Sequence, residues 1–334
     1  MMNQKSGLVD PFGRPVTYLR ISVTDRCNLR CVYCMPPQGV EWQPHEAILR
    51  FEEIASVVRV AAQHGVRQVR LTGGEPLVRK GLPDLIRMIA DIPGIEDISL
   101  TTNGLLLESM ASELAGAGLK RINVSLDTLD PQKFARITRG GSFEKVWRGI
   151  QRIDALGLKP VKINAVAMRG VNDDELLDLA RLTLDRDWEV RFIEMMPVMN
   201  QAPWGEGFPL PEQAYLSVQE MLAVLAPLGL HPVAGKVGCG PAQEFRLQGG
   251  LGKIGFITPV GQRFCENCNR LRLTADGHLR PCLLNEAEVD LRPALRSGEP
   301  LLPYFERALA LKPQGHELEQ LIHPTGRCMM QIGG

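Results

Sequence analysis

Short β-rich runs and helical stretches alternate six times between residues 18 and 195, and this alternation constrains the fold more than any other feature of the sequence. Because each connection between two runs has room for a helix, consecutive runs are expected to pair in parallel. Periodicity alone fits both an open barrel of six strands and a doubly wound sheet, and in either one ligands gather at the carboxyl ends of the strands. The predicted strands are 18–23, 68–71, 97–101, 121–126, 161–167 and 189–195, and the predicted helices between them are 51–64, 82–90, 108–117, 142–155 and 173–184.

The alternation fades after residue 196. Residues 197–211 contain four prolines and two glycines, which is typical of a loop. A further helix is predicted over 217–228, and 235–261 is rich in glycine and short β runs. The sequence therefore predicts a barrel-like region over 1–196 and a separate C-terminal α+β region over 197–334.

Charge and hydropathy exclude several classes of partner. Lys plus Arg equals Asp plus Glu at 38 each, so the zero net charge gives no general attraction to nucleic acid or to an anionic membrane. No run approaches the roughly 20 apolar residues of a membrane span, and the first ten residues lack the apolar segment of a signal peptide. We expect a cytoplasmic protein that binds neither nucleic acid nor membrane.

Six of the eight cysteines form two tight groups, and clustered cysteines in a cytoplasmic protein are typical of metal ligands rather than disulfides. The first group is CxxxCxxC and directly follows the first predicted strand. Three thiolates on one short loop can hold three corners of a [4Fe–4S] cluster, which leaves the fourth iron open to a ligand. A zinc site with a distant fourth ligand is the alternative, although zinc sites usually carry CxxC pairs. The first group consists of Cys27, Cys31 and Cys34.

The second group has the spacing CxxC–x13–C and consists of Cys265, Cys268 and Cys282. Cys239 or Cys328 could add a fourth ligand, which would make a closed structural cluster or a zinc ribbon.

Basic residues on predicted strands suggest an anion site. The run 269–273 alternates, so as a strand it places Arg270 and Arg272 on one face, where guanidinium groups can bind phosphate; a solvated strand face is the alternative. An unpaired charge on a core strand is costly, so such residues should face an interior cavity or lie at strand ends. The glycine-rich run 249–254 lacks P-loop spacing. We predict that a ring suited to a triphosphate is formed by Arg20, Arg70, Lys162, Arg270 and Arg272.

These motifs carry a family resemblance. CxxxCxxC with Tyr33 before its last cysteine resembles the signature of the radical S-adenosylmethionine (SAM) superfamily, and Thr72-Gly73-Gly74-Glu75-Pro76 resembles that family's GGEP segment near the SAM amine. Residues 101–104 and Ser125 lie at the ends of the next two strands. With the second cysteine group, the NRLRLT run that follows it, Gly240-Pro241 and the terminal Gly333-Gly334, the chain resembles the GTP 3′,8-cyclase family over nearly its whole length.

The resemblance implies an incomplete (β/α)6 TIM-like barrel with a C-terminal α+β extension that carries a second iron–sulfur cluster. Its cofactors are two [4Fe–4S] clusters and SAM, and its terminal Gly-Gly reaches into the active site. By position, Cys27, Cys31 and Cys34 hold the SAM cluster, Tyr33, Gly74, Ser125 and Met196 line the SAM site, and Cys265, Cys268 and Cys282 hold the second cluster, which meets the purine of GTP. GTP is bound by Arg20, Arg70, Thr101, Lys162, Arg270 and Arg272, and no role follows for Cys239 or Cys328.

The implied reaction is the first step of molybdenum cofactor biosynthesis. An external reductant supplies an electron, and SAM yields a 5′-deoxyadenosyl radical that takes hydrogen from C3′ of GTP. The C3′ radical then attacks C8 of guanine, and reduction of the aminyl product completes the ring. No protein acid or base is expected to dominate, because the cofactors carry the chemistry. The partners expected are GTP, a donor of flavodoxin or ferredoxin type (dithionite in vitro), and a downstream cyclic pyranopterin monophosphate synthase. The sequence does not fix the oligomeric state, and a homodimer is compatible with it. A radical SAM enzyme that modifies a peptide and a non-enzymatic iron–sulfur sensor stay open as alternatives.

Overall fold

The computed structural model describes residues 7–196, 203–233, 242–261, 264–316, 318 and 326–333. Within these ranges the chain forms twelve strands and nine α-helices. The strands are β1 (Tyr18–Ser22), β2 (Gln68–Thr72), β3 (Asp97–Thr102), β4 (Arg121–Ser125), β5 (Val161–Ala167), β6 (Trp188–Glu194), β7 (Leu230–Pro232), β8 (Ala242–Leu247), β9 (Lys253–Ile257), β10 (Arg270–Leu273), β11 (His278–Arg280) and β12 (Val289–Asp290). The helices are α1 (Phe51–Gln63), α2 (Leu82–Ala90), α3 (Leu107–Gly116), α4 (Pro131–Thr138), α5 (Phe143–Ala155), α6 (Leu176–Arg181), α7 (Val218–Leu225), α8 (Arg292–Ser297) and α9 (Leu302–Ala310).

All the strands belong to one sheet, in the order β12-β11-β10-β1-β2-β3-β4-β5-β6-β9-β8-β7. The eight strands from β10 to β9 are parallel, and the outer strands are antiparallel. The sheet is open, and it curves around a cavity that both of its halves line. The predicted parallel sheet and incomplete barrel with a C-terminal extension are confirmed.

Alternation along each strand separates an apolar outer face from a polar inner face. On β1, Leu19 and Ile21 are completely buried against the helices, while Tyr18 and Arg20 line the cavity. The outer face, together with the helices, forms one large hydrophobic core that includes Trp188, Phe192 and most of the buried leucines, isoleucines and valines. The sheet thus provides a rigid wall with its polar side chains directed inward.

Helix α4 is one that the periodicity did not predict. It begins with Pro131 in its first turn, and Asp130 Oδ1 accepts hydrogen bonds from the N–H groups of Gln132 (2.7 Å) and Lys133 (2.9 Å). An aspartate cap followed by proline is a start signal that the sequence does contain. No helix of the described residues is both long and apolar enough to cross a membrane.

The predicted boundary after residue 196 does not interrupt the sheet. Strand β9 pairs with β6, and β10 pairs with β1, so the C-terminal region extends the first six strands by three strands at each edge. This pairing places the second cysteine group, which adjoins β10, beside the first strand of the barrel. The division into two domains stays a prediction.

Candidate active site

A cavity of about 360 Å³ lies inside the curved sheet, bounded by inward side chains of the strands and by the loops that follow them. Both predicted cysteine groups line it, although more than 200 residues of chain separate them. Each predicted SAM-site residue lines it as well, as do all the predicted GTP-binding residues except Lys162. The structure thus brings both cysteine groups, the predicted SAM-site residues and all but one of the predicted GTP-binding residues to one cavity.

The first cysteine loop leaves the carboxyl end of β1 and is held by a tight turn. The N–H of Cys34 donates to the carbonyl of Cys31 (2.9 Å), and Arg139 Nη1 donates to the carbonyls of Arg30 and Met35 (3.0 Å each). Burial raises the pKa of Cys31 well above its usual value, and the nearby Cys34 adds to the rise. Crowded, buried thiols ionise readily only beside a cationic centre, which a bound cluster provides. The donor set therefore fits an iron–sulfur cluster.

The GGEP segment packs directly against this loop. The N–H of Gly74 donates to Thr24 O and that of Glu75 to Arg26 O (2.8 Å each). A Cβ atom on Gly74 would lie 2.4 Å from Arg26 O and 3.1 Å from Cys27 Cβ, so only glycine permits this approach. The backbone of residues 73–75 thus fixes the position of the first cysteine.

Buried Glu75 links the same segment to the end of β3. Its carboxylate accepts hydrogen bonds from Thr102 Oγ1 and from the N–H of Asn103 (2.7 Å each). Burial raises the pKa of Glu75 to about 7. Asn103 Nδ2 in turn donates to Asn28 Oδ1 (2.8 Å) within the cysteine loop.

Asp127 is a site residue that sequence reasoning missed. It lines the cavity beyond β4 and accepts hydrogen bonds from Tyr33 Oη (2.8 Å) and from the N–H of Val166 (2.9 Å). Burial raises its pKa to about 6. Its position two residues after Ser125, on the same alternating face, was the signal that could have identified it.

The second cysteine group lies on two connected segments. Cys265 begins a 3₁₀ turn (Cys265–Asn267), and its carbonyl accepts a hydrogen bond from the N–H of Cys268 (3.1 Å). Cys282 follows β11. Cys328 lies in a small buried cluster with Met35 and Met330, and Cys27 and Cys34 pack against this cluster, so Cys328 adjoins the first group. Cys239 lies outside the described residues. Within the described ranges, no three His, Cys, Asp or Glu side chains converge closely enough to hold a single metal ion.

Guanidinium groups cover the cavity wall between the two cysteine groups. Strand register aligns Arg20 with both Arg70 and Arg272, and Arg270 with Tyr18. Burial, together with the nearby Arg270, lowers the pKa of Arg272 to about 10. Burial by itself raises the pKa of Tyr18, but Arg70, Arg20 and Arg270 outweigh it and lower that pKa overall. The wall is strongly electropositive and therefore suited to an anion.

Several polar groups on this wall lack a partner. Arg70 Nε, Asn123 Oδ1 and Asn164 Oδ1 are buried without a hydrogen bond to any described residue. Arg70 Nη1 contacts Thr101 Oγ1 (3.4 Å), and Arg272 Nη1 donates to the carbonyl of Gly333 (3.0 Å). Buried polar groups are nearly always satisfied, so these three indicate a polar ligand or water. The Gly333 contact shows that the chain terminus reaches this wall, whereas Gly334 lies outside the described residues.

Lys162 occupies a different position from the other predicted cations. It is buried on β5 and ion-paired with Glu189, and Glu189 also pairs with Arg191. Burial lowers the pKa of Lys162 to about 8. Arg191 lines the cavity and Lys162 does not. Sequence reasoning missed Arg191, and also Arg121, although both are inward-facing charges on predicted strands.

Comparison with known proteins identifies the family. Residues 21–183 match the model "Radical SAM superfamily", and residues 188–318 match "Molybdenum Cofactor Synthesis C". A GTP 3′,8-cyclase of Pelotomaculum thermopropionicum is 51% identical over 97% of this chain and 99% of its own length. A GTP 3′,8-cyclase of Moorella thermoacetica is 50% identical, again over 97% of this chain and 99% of its own length.

A solved structure of similar fold is Streptococcus suis SuiB bound to S-adenosylmethionine, with a TM-score of 0.62 and 14% identity. The match covers 92% of this chain and 74% of that one. At this identity the likeness concerns the fold alone. From the cysteine loop at the end of β1, the two matching family models and the full-length relatives, we conclude that this chain belongs to the GTP 3′,8-cyclase family of radical SAM enzymes.

Proposed function

We propose that this chain converts GTP to (8S)-3′,8-cyclo-7,8-dihydroguanosine 5′-triphosphate, the first step of molybdenum cofactor biosynthesis. The observation that carries the proposal is the single cavity whose wall combines two three-cysteine groups with a cluster of buried guanidinium groups. A radical generated at one group can then reach a nucleotide held at the other without leaving the protein. Enclosure also excludes water from the reacting atoms.

In this proposal the first cysteine group holds a [4Fe–4S] cluster with SAM bound beside it. When bound, the cluster and SAM supply the radical that takes hydrogen from C3′ of the GTP ribose, which allows C3′ to bond to C8 of guanine. Tyr33, fixed by its hydrogen bond to Asp127, lines this end of the cavity. Gly74, Ser125 and Met196 complete the proposed SAM site.

The second group is proposed to hold another [4Fe–4S] cluster that meets the purine. Arg20, Arg70, Arg270 and Arg272 bind the phosphates, and Thr101 orients Arg70. Arg191 joins them because it lines the same wall. Lys162 supports Arg191 through their shared partner Glu189, so its proposed role is to position a GTP-binding residue rather than to contact GTP.

The surrounding assignments are part of the same proposal. The reaction takes place in the cytoplasm, a flavodoxin or ferredoxin supplies the electrons, and a cyclic pyranopterin monophosphate synthase consumes the product. A homodimer is compatible with the sequence, which does not fix the oligomeric state.

Isotope transfer tests the proposed reaction. Anaerobically reconstituted protein is incubated with dithionite, SAM and GTP deuterated at C3′, and 5′-deoxyadenosine is analysed by mass spectrometry. We expect deuterium in the 5′-deoxyadenosine. Formation of 5′-deoxyadenosine without deuterium would mean that the substrate or the attacked position is wrong, and its absence from protein with both clusters loaded would contradict the enzymatic reading itself.

Gly74→Ala tests the role of the GGEP backbone. The added Cβ meets backbone atoms of Arg26, which cannot rotate away, so the cysteine loop must shift. Because displacements of about 1 Å can reduce rates by about 100-fold, we expect roughly that loss in SAM cleavage, measured as 5′-deoxyadenosine. Gly116→Ala is the matched control, since no atom lies within 4 Å of its added Cβ. Equal rates for the two variants would refute this role.

A further inference from the structure

Lys312 is a buried lysine whose ammonium group contacts the segments that carry the second cysteine group. It is only 4% exposed and follows α9. Its Nζ is 3.4 Å from Cys268 Sγ and donates to the carbonyls of Arg270 (2.8 Å) and Pro281 (2.9 Å). Pro281 directly precedes Cys282, so one ammonium group ties together the segments that present Cys268 and Cys282.

The buried charge of Lys312 indicates that an anionic group lies beside it. Burying an ammonium group is costly unless an anion and hydrogen-bond acceptors compensate it. Two of its three contacts are neutral carbonyls, which leaves the sulfur of Cys268 as the contact that can carry a negative charge. Lys312 is therefore best satisfied when Cys268 is a thiolate, the form in which cysteine binds iron.

Arg14 holds the same loop by a different kind of contact. It donates to the carbonyls of Cys265 (2.7 Å), Pro313 (2.6 Å) and Gln314 (2.8 Å). Its charge is paired with Asp10 at 2.6 Å. Arg14 thus fastens the backbone beside Lys312 to the cysteine loop, while Lys312 brings a positive charge to a ligand sulfur.

We propose that Lys312 is a positioning residue that fixes Cys268 and Cys282 and raises the reduction potential of the second cluster, an inference that rests on the proposed presence of that cluster. Reduction adds negative charge to a cluster, and a cation at 3.4 Å from one of its sulfur ligands favours the more negative form. Removing the cation should therefore lower the potential.

The test uses the full chain with Cys27→Ala, Cys31→Ala and Cys34→Ala, in which only the second group can hold a cluster. Into this parent we introduce Lys312→Met, which lacks charge and donors, and Lys312→Arg, which keeps both. Lys253→Met is the control, because Lys253 lies on β9, where it is ion-paired with Glu244 of β8 and not with a cysteine. Iron and sulfide content, the rate of iron release to a chelator and the midpoint potential are measured for each.

For Lys312→Met we expect iron release at least about 10-fold faster, as for other residues that support metal ligands, and a more negative midpoint potential. Lys312→Arg and Lys253→Met should keep the potential of the parent. If Lys312→Met does not fold, Lys312→Gln, which keeps N–H donors without the charge, should show the same negative shift.

An unchanged midpoint potential in folded Lys312→Met or Lys312→Gln would overturn the proposal. Faster iron release without a change in potential would mean that Lys312 only packs against the cysteine segments and does not act through its charge. A parent that binds no iron would instead refute the second cluster itself, and the role of Lys312 with it.

Discussion

Cys27→Ala is expected to abolish reductive cleavage of SAM. The substitution leaves two thiols on the first loop, one fewer than the three that can hold the corners of a [4Fe–4S] cluster while one iron stays open to SAM. Mass spectrometry of 5′-deoxyadenosine after anaerobic incubation with dithionite and SAM measures the loss. Binding of GTP should persist, because the arginines proposed to bind its phosphates lie on β1, β2 and β10 and not on the cysteine loop.

Cys328→Ala is the matched control for this experiment. Cys328 belongs to the buried cluster against which Cys27 and Cys34 pack, but it lies outside the CxxxCxxC motif, and its thiol donates to Gln331 Oε1 (3.3 Å). We expect this variant to cleave SAM. The assignment of the first cluster would be wrong if Cys328→Ala lost cleavage while Cys27→Ala retained it.

Arg270→Ala combined with Arg272→Ala is expected to weaken GTP binding by at least about 100-fold, because each lost hydrogen bond to a charged group contributes about 1.5–3 kcal/mol. The affinity for guanosine should change little, since the lost contacts are to phosphate. Isothermal titration with GTP and with guanosine measures both. The first cluster should still assemble, which iron content reports.

The control for the double variant is Arg148→Ala with Arg181→Ala, which removes two exposed arginines paired with Glu108 and Asp178. Unchanged GTP affinity in the Arg270/Arg272 variant, or an equal loss for guanosine, would contradict the assignment of these arginines to the phosphates.

Burial lowers the pKa of both Arg270 and Arg272, so their positive charges destabilise the folded state. We therefore expect the double variant without GTP to melt at no lower temperature than the parent, which differential scanning calorimetry measures.

Local patterns accounted for much of the fold. The six predicted strands all form, and α2 begins and ends where predicted. These elements are readable because side-chain periods of 2 and 3.6 depend on neighbouring residues only. Helix α4 was missed because its apolar positions are few, and its signal lay in the Asp130–Pro131 start instead.

The site could be predicted only in part. The cysteine motifs identified the two thiol groups, and alternation identified Arg270 and Arg272 as residues of one face. Alternation could not decide that Arg191 lines the cavity while Lys162 is held beside it, because that depends on how Glu189 is shared between two strands. Lys312 gave no signal, since its contact with Cys268 spans 44 residues.

The sequence by itself determined the parallel βα units, the two sets of three thiols and the kinds of charge available to a ligand, because each of these is written in short-range spacing. Only the tertiary structure decided that β9 and β10 pair with opposite edges of the first six strands and so bring the second cysteine group to the cavity of the first. It also decided that Cys328 adjoins the first group and that Lys312 contacts Cys268 of the second. Those outcomes depend on contacts between distant parts of the chain, which packing and strand pairing select and which no local pattern encodes.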